Sequence, residues 1–200
     1  MSSSLSPYVV DLDVLHSGIG SKDDKLRRMI GGRFKKHLDF DDQQFDSLIE
    51  EGAPNIRDAI RTVIEGGPFD DQHGTMYAYA YKWMCEFHGR FQVNGDFCPM
   101  KYDWLEMVDE GLEQLGVTAV DVSSFSHGSV PSPIPSPVDL VPGYGEWSFE
   151  QCREALEQWE AATDEAKSAV DSEVLHAIET CMGWCRNATA LERGVAAFFF

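Results

Sequence analysis

The sequence has little positive charge. Its 200 residues contain 16 Lys and Arg against 34 Asp and Glu, which gives a formal net charge of −18. The imbalance is greatest from residue 91 onward, where 19 acidic residues face five basic ones. Such a surface repels phosphate backbones and anionic lipids and attracts positively charged proteins. The charge favours a basic protein as the partner over nucleic acid or membrane, and the alternative is that it serves solubility alone.

The sequence also lacks long apolar runs and a disulfide framework. No apolar run reaches the length of about 18 residues that a transmembrane helix needs. No secretory signal precedes Lys22, the first basic residue. The five cysteines are odd in number and scattered, a pattern typical of reduced thiols rather than of paired ones. These absences predict a cytoplasmic protein.

Signature motifs of catalysis are missing as well. The sequence contains no GxSxG, HExxH, P-loop or GxGxxG pattern, so we expect no cofactor and favour a protein that is not an enzyme. The candidates for acid–base chemistry are Asp70, Asp71 and His73 in one loop, with Tyr77 in the helix that follows. In this hypothesis His73 acts as a general base oriented by a carboxylate. The alternative is a solvated acidic loop whose carboxylates favour the helix N-terminus.

Two residue pairs have the spacing of metal ligands. Cys85 and His88 are three residues apart, and Cys181 and Cys185 are four apart, so each pair lies on one helix face. Together the pairs would make a Cys3His zinc set. The alternative is that these cysteines are buried as small hydrophobic side chains.

The pattern of the chain predicts an α+β fold, mainly helical, with a small mixed or antiparallel sheet. Residues 8–14 alternate between apolar and polar positions, which predicts a half-buried strand that turns helical near its end, and the closing residues GVAAFFF predict a buried strand. We expect these two terminal strands to pair. Further strands are predicted over residues 90–93 and, from β-branched content, over residues 117–125.

The helices follow from apolar spacing and from residues that favour helix ends. We predict helices over residues 22–30, stopped by Gly31 and Gly32, and over about 164–186. Residues 75–88 are apolar in nearly every direction, which predicts a buried central helix. Ser148 and Gln151 form a capping-box pattern at the start of another helix.

Five of the nine prolines lie in one segment, residues 127–145, which we call the proline-rich strap. No helix can run through it, and its apolar residues are costly to leave in water. We therefore predict a strap packed over a single domain of residues 1–200, rather than a linker between domains. Ile134 and Leu140 should be buried, and Gly143 and Gly145 should form the turn into the last helices. Residues 1–6 are predicted to be a loose leader.

Three segments resemble a group of small uncharacterised bacterial proteins. They are YVVDLDVLHSGIGSKD near the start, PSPIPSPVDLVPGYGEWSFEQC in the third quarter and ERGVAAFFF at the end. The group is distantly similar to the YfbM-like proteins of unknown function. The resemblance implies a bacterial cytoplasmic domain with its termini close together, and it implies no catalytic residues.

Three hypotheses for function stay open at this point. The first is a non-enzymatic binding or regulatory protein, comparable to an immunity protein, that uses its acidic surface. The second is an enzyme or small-molecule binder with a pocket near His73 and Tyr77. The third is a structural zinc protein. The sequence does not define the oligomeric state.

Overall fold

The computed structural model describes residues 3–101, 103–137 and 141–200. Two short 3₁₀ turns lie at Asp71–His73 and Gly95–Phe97. The helices and strands of these residues are, in chain order, β1 (Leu5–Val10), α1 (Leu12–Ser17), α2 (Asp24–Arg33), α3 (Lys35–Gln44), α4 (Asp46–Glu50), α5 (Ile56–Glu65), α6 (Gly74–His88), β2 (Arg90–Phe91), α7 (Trp104–Gln114), α8 (Ser124–His127), β3 (Gly143–Trp147), α9 (Phe149–Ala161), α10 (Asp164–Ala169), α11 (Ser172–Ala190) and β4 (Gly194–Phe199).

The chain divides into two compact units. The sheet unit contains the segment up to residue 12 together with residues 89–128 and 143–200, and the helical unit contains residues 13–88 and 129–142. The predicted α+β class, mainly helical with a small sheet that includes both terminal strands, is confirmed. The single domain over residues 1–200 stays a prediction.

The sheet is antiparallel, with the strand order β2-β1-β4-β3. Residue Tyr8 of β1 lies opposite Ala196 on one side and Phe91 on the other. Tyr8, Val9 and Val10 are all buried, so β1 is covered on both faces and the prediction of a half-buried strand is wrong. The predicted loose leader is also wrong in part. The strand begins at Leu5 because that side chain is fully buried and its backbone pairs with Phe199.

The apolar core of the sheet unit is built from β1 and β4 with the inner faces of α7, α9 and α11. Helix α9 begins with the predicted capping box, in which the side chains of Ser148 and Gln151 exchange hydrogen bonds with the backbone. The continuous helix predicted over residues 164–186 is wrong. The Asp171 carboxylate accepts hydrogen bonds from the N–H groups of Glu173 and Val174, and thereby starts α11 as a separate helix.

Residues 117–123 do not form the predicted strand. The segment buries Val117, Val120 and Val122, as its β-branched content suggests. Its backbone N–H groups, however, donate hydrogen bonds to side chains. The Gln158 amide oxygen accepts the N–H groups of Thr118 and Ala119. The Asp109 carboxylate accepts those of Val122 and Ser123. With these donors satisfied, the segment does not need a neighbouring strand.

The helical unit has α5 and α6 at its core. Helix α6 buries nine of its 15 residues, as expected for a helix that is apolar in most directions. Helix α2 begins after an Asp23 cap and continues through Gly31 and Gly32, so the predicted stop is wrong. Neither glycine has the positive φ that a helix-ending glycine adopts, whereas Gly66, which ends α5, has a φ of 81°.

The proline-rich strap divides between the two units. Its residues 129–142 belong to the helical unit, where Ile134 is buried as predicted. Leu140 lies outside the described residues. The turn predicted at Gly143 and Gly145 is wrong, because both residues belong to β3. Their missing side chains let β3 approach α8, since a Cβ at Gly143 would lie 2.6 Å from the carbonyl oxygen of Ser126.

Candidate functional site

The predicted acid–base residues lie around the first turn before α6. Asp70 accepts a hydrogen bond from the Gln72 N–H at 3.0 Å and donates its own N–H to the Tyr77 hydroxyl at 3.4 Å. The His73 Nε2 lies 3.9 Å from an Asp70 carboxylate oxygen. Asp71 makes no hydrogen bond or ion pair with the other three within the described residues. The structure therefore brings together Asp70, His73 and Tyr77, but at distances that leave His73 only loosely oriented.

A cavity of about 370 Å³ adjoins His73. Its lining includes Phe45, Met76 and Tyr79 and is mainly apolar. Tyr77 is not part of that wall, because it is buried with its ring against Phe69. The cavity therefore gathers no second polar group of the predicted set beside His73. A site near His73 and Tyr77 stays a prediction.

The candidate metal ligands lie on two helices. On α6, Cys85 is fully buried and His88 half-buried, while Cys181 and Cys185 on α11 are buried in the core of the sheet unit. Burial raises the pKa of the Cys181 thiol. A hydrogen bond with the neighbouring Cys152 raises the pKa of Cys185, and burial adds to this effect. Both shifts disfavour the thiolate that zinc requires.

No group of three or more His, Cys, Asp or Glu side chains with the arrangement of metal ligands occurs in the part of the chain that the structure describes. The structural zinc hypothesis therefore gains no support from these residues and stays a prediction.

A polar site that the sequence analysis missed lies in the sheet unit. The Nδ1 of His176, on α11, donates a hydrogen bond to Asp96 Oδ1 at 2.6 Å, and the Thr180 hydroxyl donates to Asp96 Oδ2 at 2.6 Å. The His176 side chain is 69% exposed and that of Asp96 is 19% exposed. The hydrogen bond to Asp96 raises the pKa of His176. Because 80 residues separate the two partners, no local spacing could have indicated the pair.

This pair lies at the edge of a cleft of about 520 Å³, which we call the α11 cleft. The remaining lining residues combine apolar side chains with two charged side chains and a hydroxyl, and they are Pro99, Met100, Lys101, Trp104, Ser172 and Glu173. The cleft is therefore a concave site in which several polar groups converge.

The acidic side chains of the sheet unit form a second feature. Glu150, Glu154 and Glu157 of α9 are exposed and follow one another at intervals of four and three residues. Such spacing places them on one line of the helix surface, which we call the α9 stripe. The buried side chains of α9, Cys152, Ala155 and Trp159, lie on its other face.

Comparison with known families places the chain in a group without an assigned activity. The model of a domain of unknown function, DUF7691, matches residues 1–200. The chain belongs to this family. Membership of DUF7691 confirms the prediction of a family of proteins of unknown function, whereas the likeness to YfbM-like proteins and the bacterial origin stay predictions.

No curated protein and no solved structure matches this DUF7691 chain. Among its described residues, no helix combines the length and the apolar character needed to cross a membrane.

Proposed function

We propose that this DUF7691 protein is a non-enzymatic binding protein that holds a basic protein partner on the α9 stripe. The observation that carries the proposal is the alignment of Glu150, Glu154 and Glu157 on an exposed line of one helix. A row of carboxylates on a rigid helix suits a partner segment that presents several Lys or Arg side chains.

Most of the negative charge on this helix is not neutralised locally. Arg153 pairs with Glu157 at 3.2 Å, but within the described residues no cationic group lies within 4 Å of Glu150 or Glu154. The nearby cation Lys167 is engaged elsewhere, because its ammonium lies 4.0 Å from the ring centroid of Trp159. The stripe therefore keeps charge that a basic partner can neutralise.

The charge is also unevenly shared between the units. The sheet unit carries 19 acidic and six basic residues, a formal charge of −13, whereas the helical unit carries 15 and ten, a formal charge of −5. Asp164 and Glu165, exposed in the first turn of α10, continue the acidic sequence beyond α9. Acidic residues spread evenly over both units would serve solubility alone. Acidic residues concentrated in one unit favour binding of a partner at that unit.

The proposal is tested with nona-arginine, a defined basic probe, labelled for fluorescence anisotropy. The triple variant E150Q/E154Q/E157Q removes three charges from the stripe and keeps the size of each side chain. Exposed ion pairs each contribute modestly, so three of them together should weaken binding about tenfold at physiological salt. Binding of the wild type should also weaken steeply as the salt concentration rises.

The matched control is E50Q/E51Q/E65Q, which removes three exposed glutamates from the helical unit and changes the net charge by the same amount. We expect this variant to bind the probe about as well as the wild type. Equal losses in the two triple variants would show that bulk charge alone attracts the probe, and would overturn the proposal.

A further inference from the structure

The α11 cleft presents hydrogen-bond donors that have no role in binding a basic partner. Lys101 contributes an exposed ammonium group, and Ser172 contributes a hydroxyl. His176 uses Nδ1 for its bond to Asp96, so its Nε2 is the nitrogen left to meet a ligand. These donors line a cavity whose volume of about 520 Å³ is typical of small-molecule sites.

Asp96, one of the two carboxylates that line the cleft, already accepts two hydrogen bonds. Asp96 accepts one hydrogen bond from His176 and one from Thr180, each on a different oxygen. The bond from His176 orients the imidazole ring, and the bond from Thr180 holds the Asp96 carboxylate in place. Asp96 therefore orients His176.

The cleft also contains apolar side chains. Pro99, Met100 and Trp104 line it, and Met100 is buried. Trp104 also carries a buried Nε1 that has no acceptor within hydrogen-bonding distance among the described residues. An acceptor-bearing ligand that reaches this donor would remove the cost of leaving it unsatisfied. Donors and apolar surface in the same cleft favour a ligand that has an acceptor group and an apolar body.

Four charged groups lie on the elements around His176. Asp96 lies on the Gly95–Phe97 turn, Glu173 and Glu179 lie on α11 itself, and Lys101 lies on the segment before α7. The hydrogen bond to Asp96 and the charges of Asp96 and Glu179 raise the pKa of His176, which favours the imidazolium form with a hydrogen on Nε2. Lys101 and the imidazolium form of His176 are the cationic donors of the cleft, with Glu173 as the opposing charge.

We propose that the α11 cleft binds a small organic carboxylate whose acid group pairs with Lys101 Nζ and His176 Nε2 and whose apolar body lies against Met100 and Trp104. Charge-assisted hydrogen bonds from two cations to one carboxylate are stronger than neutral ones. The apolar side chains add affinity by removing hydrocarbon from water. This site is distinct from the α9 stripe, since the two share no residue.

The test uses 3-phenylpropionate as the probe and 3-phenylpropionamide as its neutral counterpart, with binding measured by isothermal titration calorimetry. The acid should bind at least about tenfold more tightly than the amide. The variants K101M and H176Q should each weaken binding of the acid about tenfold. K167M, which removes the ammonium stacked on Trp159, is the matched control and should leave binding unchanged.

The pH dependence separates the role of His176 from a purely structural one. Binding of 3-phenylpropionate by the wild type should strengthen from pH 8 to pH 6 as Nε2 becomes protonated, and H176Q should lose that dependence. The variant E150Q/E154Q/E157Q should bind the acid as the wild type does. Equal binding of acid and amide, no saturable binding of the acid, or retained affinity in both K101M and H176Q would overturn the proposal.

Discussion

Replacement of Gly74 by alanine tests how the proline-rich strap is held. Gly74 is the first residue of α6, and the strap passes directly over it within the helical unit. A Cβ at this position would lie 2.1 Å from the carbonyl oxygen of Ser136 and 3.0 Å from that of Pro135. Real Cβ contacts essentially never fall under 3.0 Å, so G74A must displace the strap or the start of α6.

The expected cost follows from these distances. Overpacking typically destabilises a protein by about 1 to 3 kcal/mol, and a backbone oxygen cannot rotate away as a side chain can, which favours the upper end. The smaller conformational freedom of alanine in the unfolded chain returns about 0.4 to 1 kcal/mol. The free energy of unfolding of G74A should therefore fall by about 2 kcal/mol, equivalent to a Tm lower by about 4 to 8 °C.

The control is G31A in α2 of the same unit, where no atom lies within 4 Å of the added Cβ. It should raise the free energy of unfolding by about 0.5 to 1 kcal/mol through helix propensity alone. Urea denaturation measures the free energy of unfolding of both variants. Limited proteolysis measures how easily the strap is cleaved, and it needs a protease of broad specificity because the strap contains no Lys or Arg. The reasoning is refuted if G74A is as stable as G31A and its strap resists cleavage as in the wild type.

Three further predictions concern the sheet unit. The free energy of unfolding of G111A, measured in urea, should be about 1 to 3 kcal/mol lower than that of G183A. The Cβ of G111A would lie 2.5 Å from a methyl group of the buried Val174, whereas the Cβ of G183A has no such neighbour within 4 Å. Equal stabilities of the two variants would contradict this packing. A thiol reagent should label one cysteine in the native chain and none in C98S, because Cys98 is exposed and the other four cysteines are buried. Labelling of a second thiol in the native chain would contradict that burial. The pKa of His176 is raised in the folded state, so its stabilising effect is fully present below its unfolded pKa near 6.5 and is lost as the pH rises through the folded value. The stability difference between wild type and H176Q should therefore shrink from pH 6 to pH 9 in thermal melts, and a pH-independent difference would argue against the bond to Asp96.

The elements that sequence could predict are those encoded by local patterns. The terminal strands, the buried character of α6 and the cap at Ser148 follow from alternation, apolar content and capping residues, all within a few positions. A glycine marked the end of a helix only where it adopts a positive φ. Gly66 ends α5 at positive φ, but Gly31 and Gly32 lie inside α2 at ordinary helical geometry.

The errors have a common physical origin in contacts between residues distant in sequence. Residues 117–123 look like a strand, yet Asp109 and Gln158 satisfy their backbone donors from two helices. His176 has no partner nearby in sequence, and its Asp96 comes from a turn 80 residues earlier. Such pairs form only when the tertiary fold brings their elements together, so the α11 cleft could not be predicted from spacing.

The most direct test of the proposed function is to map where a basic probe binds by following backbone amide chemical shifts during titration with nona-arginine. We predict that the shift changes concentrate on α9 and the first turn of α10, around Glu150, Glu154 and Glu157. Changes spread evenly over the acidic residues of both units, or centred outside α9, would contradict the account.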